Sequence, residues 1–138
     1  MQNFFVDANW LAILVASVAY FGLGAIWYSG LFGKQWVAYH NIDVNDPEMK
    51  KGVAAIMTGS FVLMTIAVFC LAILIYRLGL HEVLSGVKIG LYTGIGFAAT
   101  AVSIGYLYTK KPLGLHLIDN LYHICGHVIA GIILCIWQ

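Results

Sequence analysis

The sequence predicts an all-α membrane protein, an up-and-down bundle of four transmembrane helices with both termini on the same, outer side. Three observations carry this. The chain is 62% hydrophobic and 9% charged over 138 residues, with a mean hydropathy of +0.89, whereas a globular domain is about half apolar and about a quarter charged. Its apolar residues fall into four runs of about 18 to 25, the length that crosses about 30 Å of hydrocarbon at about 1.5 Å per residue. Most of the charged residues lie in the short segments between those runs.

The first span covers about 9–28. Trp10 marks one end and Trp27 and Tyr28 the other, where amphipathic rings settle at headgroup level. Segment 29–40 is too short to cross but carries Leu31, Phe32, Trp36 and Tyr39 beside Lys34, as an element lying on the membrane surface does. Loop 41–51 is the polar one. There Asn45 or Asp46 is placed to cap a helix with Pro47 at its first position and Glu48 near its positive end, so the second helix is expected to start in water.

The membrane part of the second span covers about 53–76, ending at Arg77, and a tight connection leads to the third at about 83–108. Lys110-Lys111-Pro112 breaks that helix, and the fourth covers about 113–137. The chain therefore reads as a single transmembrane domain over 1–138. Its N-terminus lacks the basic region of a secretion signal and is expected to be retained.

Orientation follows from the basic residues of the short loops. Lys34, Lys50, Lys51, Lys110 and Lys111 share one side, and Arg77 and Lys88 the other. The positive-inside rule then places the first and third loops in the cytoplasm and both termini outside.

A net charge of +1 gives no general attraction to nucleic acid. Cys70, Cys125 and Cys135 all sit in apolar runs without a C-x-x-C pair, so they read as buried small hydrophobes. Gly86, Gly90 and Gly94, continued by Ala98, make a smooth groove along the third span. Such grooves let a second helix approach closely. Packing within the bundle is the plainer use, with Ala12 and Ala16 of the first span as a candidate partner, and a dimer interface is the alternative.

The fourth span holds His116, Asp119, Asn120, His123 and His127. At about 100° per residue all five fall within an arc of about 100°. Ionisable groups in a bilayer cost on the order of 3 kcal/mol each, so they face protein and by default point to function. Three readings stay open. The stripe is a structural seam bonded to other helices through Tyr20, Tyr28, Thr58 or Ser60; a path or sensor for a proton or small solute, since imidazole titrates near neutrality; or a metal or haem site, since His123 and His127 at i, i+4 present two nitrogens to one ion. Above His127 the helix has no ionisable group, so a path would need Ser85, Lys88 and Tyr92 of the third span, although Lys88 reads more simply as a snorkelling lysine. His40 and His81 stand alone in loops and are expected to be solvated. No nucleophile elbow, H-E-x-x-H, Walker loop or intramembrane carboxylate pair is present, so an enzyme is not expected.

The stretch Asn9-Trp10 followed by Gly24-Ala25-Ile26-Trp27-Tyr28-Ser29-Gly30-Leu31-Phe32-Gly33-Lys34-Gln35-Trp36 resembles the opening signature of a family of small bacterial membrane proteins, the family catalogued as domain of unknown function 1761. Gly30 stands where the family commonly has Pro. Ile118-Asp119-Asn120-Leu121-Tyr122-His123 is similar to its last helix. The resemblance implies a four-helix protein of the bacterial cytoplasmic membrane and brings no activity or cofactor. It sets Trp27, Tyr28, Ser29, Lys34 and Trp36 at the cytoplasmic interface, on the side of His116 and Asp119. A bundle this small is expected to act as a homo-oligomer, most simply a dimer. A non-catalytic accessory role beside another membrane protein is the main alternative to handling protons or solutes.

Overall fold

The computed structural model describes residues 3–137. Four helices are long and apolar enough to cross a membrane: Trp10–Leu31, Val53–Leu78, Val83–Tyr108 and Leu113–Ile136. No strand occurs among the described residues. The Asn9 side chain caps the first span by accepting from the Ala12 N–H at 3.0 Å, the Asx cap expected of such a residue. That span does not stop at Tyr28. It continues through a wider π turn, Ile26–Leu31, and only then does the chain bend into the short helix Gly33–His40.

The second span departs from expectation at its start. Asp46 does cap a turn that has Pro47 first, but this is a separate one-turn 3-10 helix, Pro47–Lys50. The spanning helix begins afterwards at Val53, because Gly52 takes a left-handed conformation (φ 73°) and breaks the backbone between them. Gly79 (φ 63°) closes the other end, with the Leu80 N–H reaching back to Ile75 O at 3.2 Å. The third span contains a second π turn, Gly94–Ala99, between two α-helical halves.

The fourth span is the central element. The first and third lie against it on separate sides, the second packs on the first and touches the fourth, and the second and third scarcely meet. Phe97 and Leu107 on the third span's outer face are about 70% exposed (71% and 70%), as suits side chains turned to hydrocarbon. Cys70 also faces outward, contrary to the expectation of a buried thiol.

The glycine groove of the third span is filled by the fourth, not by Ala12 and Ala16. A Cβ on Gly86 would stand 2.6 Å from Gly131 O, and one on Gly90 2.5 Å from Val128 Cα and 2.6 Å from His127 O. The two backbones touch there, and lipid offers no equivalent contact. Ala12 and Ala16 are buried in the core shared by the first, second and fourth spans.

Candidate functional site

Asp119 lies one and a half turns into the fourth span and is 5% exposed. Tyr28, at the π turn of the first span, donates its hydroxyl to Asp119 Oδ1 at 2.6 Å. Tyr106, near the end of the third span, donates to Oδ2. One carboxyl group is thus clamped by phenols from both flanking helices. The wider turn at Ile26–Leu31 contributes to this, since π turns re-aim side chains and recur at functional positions. In the same turn Trp27 Nε1 donates to Ile118 O at 3.0 Å, so adjacent residues grip adjacent positions of the fourth span.

A second network lies deeper. The Tyr20 hydroxyl is 2.6 Å from His123 Nδ1 and 3.4 Å from His127 Nδ1, and His127 Nδ1 is 2.8 Å from His123 O. A carbonyl only accepts, so His127 carries its proton on Nδ1 and gives it to His123 O, while the direction of the Tyr20–His123 hydrogen bond is set by the His123 tautomer. The His127 hydrogen is thereby committed to the backbone, and Tyr20 sits at a longer 3.4 Å from that nitrogen. The Tyr20 ring lies over Gly126, where a Cβ would collide with it.

Asn120 Nδ2 donates to Ser103 Oγ of the third span at 2.7 Å, while its Oδ1 is buried without a partner. His116 packs its ring edge-on to Tyr106, centroids 5.3 Å apart. All five stripe residues therefore face the cleft between the first and third spans. Of the polar partners named from sequence, Tyr20 and Tyr28 take part. Thr58 bonds back to its own helix at Ala54 O, and Ser60 makes no bond to the seam. Tyr106 and Ser103 escaped sequence reasoning, although Tyr106 stands 13 residues before Asp119 across a tight turn and is thereby bound to return to its level.

Of the interface motif, Trp36 packs against Tyr28, centroids 5.7 Å apart, whereas Ser29 bonds its own helix at Ala25 O and Lys34 is exposed. His40 is not the solvated loop residue expected. It ends the short helix with its ring 4.3 Å from Trp36, and its Nε2 is buried with no partner. Burial, then the charge of Lys111, holds its pKa below the ordinary 6.5, and Asp119 acts in the opposite sense. Tyr39 covers Gly114, so this helix closes the lysine-rich end of the seam.

Lys88 and Tyr92 are exposed and do not prolong the stripe. Beyond His127, Ser17 and Thr93 are buried but donate to carbonyls of their own helices, Ile13 O and Ile89 O, each at 2.8 Å. For the metal reading, His123 and His127 both turn Nδ1 to protein partners. Among the described residues no three His, Cys, Asp or Glu side chains converge as a ligand set.

A family model described as "Protein of unknown function (DUF1761)" matches residues 11–135. The chain belongs to this family. The match takes in the Trp27-Tyr28 turn and the whole stripe from His116 to His127, so the clamp joins two segments of the family domain that are far apart in sequence. No curated protein and no solved structure matches the chain.

Proposed function

We propose that this membrane protein takes up a proton into the fourth-span seam from its lysine-rich end, taken as cytoplasmic, and works as a proton sensor more than as an open conduit. The observation that carries this is the Tyr20 hydroxyl held 2.6 Å from His123 Nδ1 and 3.4 Å from His127 Nδ1, between helices and on one face with Asp119, a contact in which Tyr20 donates to neutral His123 on this reading. Protonation of His123 at Nδ1 would turn its contact with Tyr20 around: the imidazole becomes the donor and the phenol oxygen the acceptor. The Tyr20 hydrogen must then find a new acceptor. Such a reversal couples one proton to the packing of the first span on the fourth, the kind of two-state element a sensor needs.

Sensing is favoured over conduction by the far half of the bundle. The backbones of the third and fourth spans touch at Gly86 and Gly131, and no His, Asp, Glu, Lys or Arg of the fourth span follows His127. The test uses protein in liposomes. Infrared difference spectra between about pH 5 and 8 should show imidazole and tyrosine bands that vanish together in His123→Ala and shift in Tyr20→Phe. Proton flux into dye-loaded vesicles should stay at the protein-free leak. Rapid flux abolished by Asp119→Asn would replace the sensor with a path, and spectra without those bands would end both readings in favour of a structural seam.

A further inference from the structure

At the opposite end of the bundle, where the two ends of the chain meet, lies a cavity of about 90 Å³ whose walls include Phe4, Asp7, Ile75, Tyr76, Leu134 and Trp137. Asn9 Nδ2 donates to Trp137 O at 3.2 Å and ties the last residues of the fourth span to the start of the first. The Phe4 ring, 4% exposed, meets Tyr76 edge-on at 5.3 Å and 73°. Tyr76 in turn donates its hydroxyl to Asp7 Oδ2 at 2.6 Å. The other carboxylate oxygen has no donor, and no Lys or Arg pairs with Asp7, among the described residues.

Three aromatic rings and a carboxylate in no ion pair with a described residue make a site for a cation. Ring faces attract cations electrostatically, and organic ammonium groups are those most often held this way. A divalent metal ion fits poorly, because it requires about six oxygen ligands and Asn9 Oδ1 already accepts from Ala12. The volume limits the ligand as well: pockets for drug-sized molecules run to about 300–1,000 Å³, so this one takes a single small headgroup. Trp10 beside it, 51% exposed, marks the level where headgroups lie.

We propose that this cavity binds a small organic ammonium group, carried either by a free amine or by an amine lipid headgroup. The group would sit against Phe4, Tyr76 and Trp137 with its charge beside Asp7. This is independent of the seam and does not rest on the sensor reading.

The test is binding of choline to the full chain in nanodiscs of phosphatidylglycerol, which lacks an amine, compared with the uncharged isostere in which carbon replaces the nitrogen. Choline should bind saturably and about tenfold or more tighter than the isostere. Asp7→Asn should remove that difference, Trp137→Leu should weaken choline binding, and Asp46→Asn, far away in the polar loop, should do neither. Repeating the titration in phosphatidylcholine discs separates the sources: weakened choline binding assigns the site to a lipid headgroup, and unchanged binding assigns it to a free amine. Equal binding of the two ligands, no saturable binding, or full choline binding by Asp7→Asn would overturn the proposal.

Discussion

The Tyr28 hydroxyl and the Asp119 carboxyl meet at 2.6 Å across 91 residues of sequence. With Tyr106 on the other oxygen, this contact locks the ends of the first and third spans onto the fourth. A buried acceptor stripped of its donor costs about 1–3 kcal/mol. Tyr28→Phe and Tyr106→Phe should each lower stability by about that amount in detergent, while Tyr108→Phe, 87% exposed, should leave it unchanged. Because both phenols share one acceptor group, the double variant should depart from additivity. Thermal unfolding of the parent, the three single variants and the double variant checks this, and melting temperatures equal to the parent's in Tyr28→Phe, Tyr106→Phe and the double variant would show that the clamp contributes nothing.

Gly90 and Gly96 give a contrast within one helix. A methyl on Gly90 meets backbone at 2.5 Å, whereas one on Gly96 meets nothing within 4 Å. Gly90→Ala should cost about 1–3 kcal/mol by forcing the spans apart, and Gly96→Ala should be neutral or gain up to about 1 kcal/mol from helix propensity. The reverse ranking in a denaturation series would mean that the third span does not pack on the fourth through this face.

His40 links pH to the short helix. Its pKa lies below 6.5 in the folded protein because burial, and then Lys111, disfavours the imidazolium. The unfolded chain therefore binds more protons as pH falls through 6.5. The His40 contribution to stability is full above that pH and is lost as pH drops through the folded pKa. His40→Phe should flatten this acid limb of melting temperature against pH, and Lys111→Met should shorten it by raising its lower end toward pH 6.5. An unchanged profile in both variants would rule His40 out as its source.

Asn120 offers a case where deletion should be mild. Its Oδ1 is already unpartnered and its Nδ2 bonds only Ser103. Removing both partners of a buried hydrogen bond together is close to neutral or stabilising. The double variant Asn120→Leu, Ser103→Ala should therefore unfold within about 1 kcal/mol of the parent, while Ser103→Ala alone, which orphans the amide, should be the less stable of the two.

Much of this architecture is legible in the sequence, and each part for a definite reason. Hydrocarbon thickness demands long apolar runs, so four spans can be counted. The stripe on the fourth span stands out because ionisable side chains are costly in lipid. Asp46 and Pro47 show the limit of local signals: they form a capped turn, but Gly52 decides that the turn and the second span are separate helices.

Span number and the single polar face of the fourth helix follow from the sequence alone, because each depends on solvent and helical period. The tertiary structure alone decided that Tyr20, Tyr28 and Tyr106 turn inward to that face, that the glycine groove closes on Gly131, and that His40 is half-buried above Asp119. In lipid, the apolar face that packs on a neighbour resembles the one that meets acyl chains, and a tyrosine near a helix end is equally suited to the headgroup belt and to a buried acceptor. Only the placement of the neighbouring helices separates those alternatives.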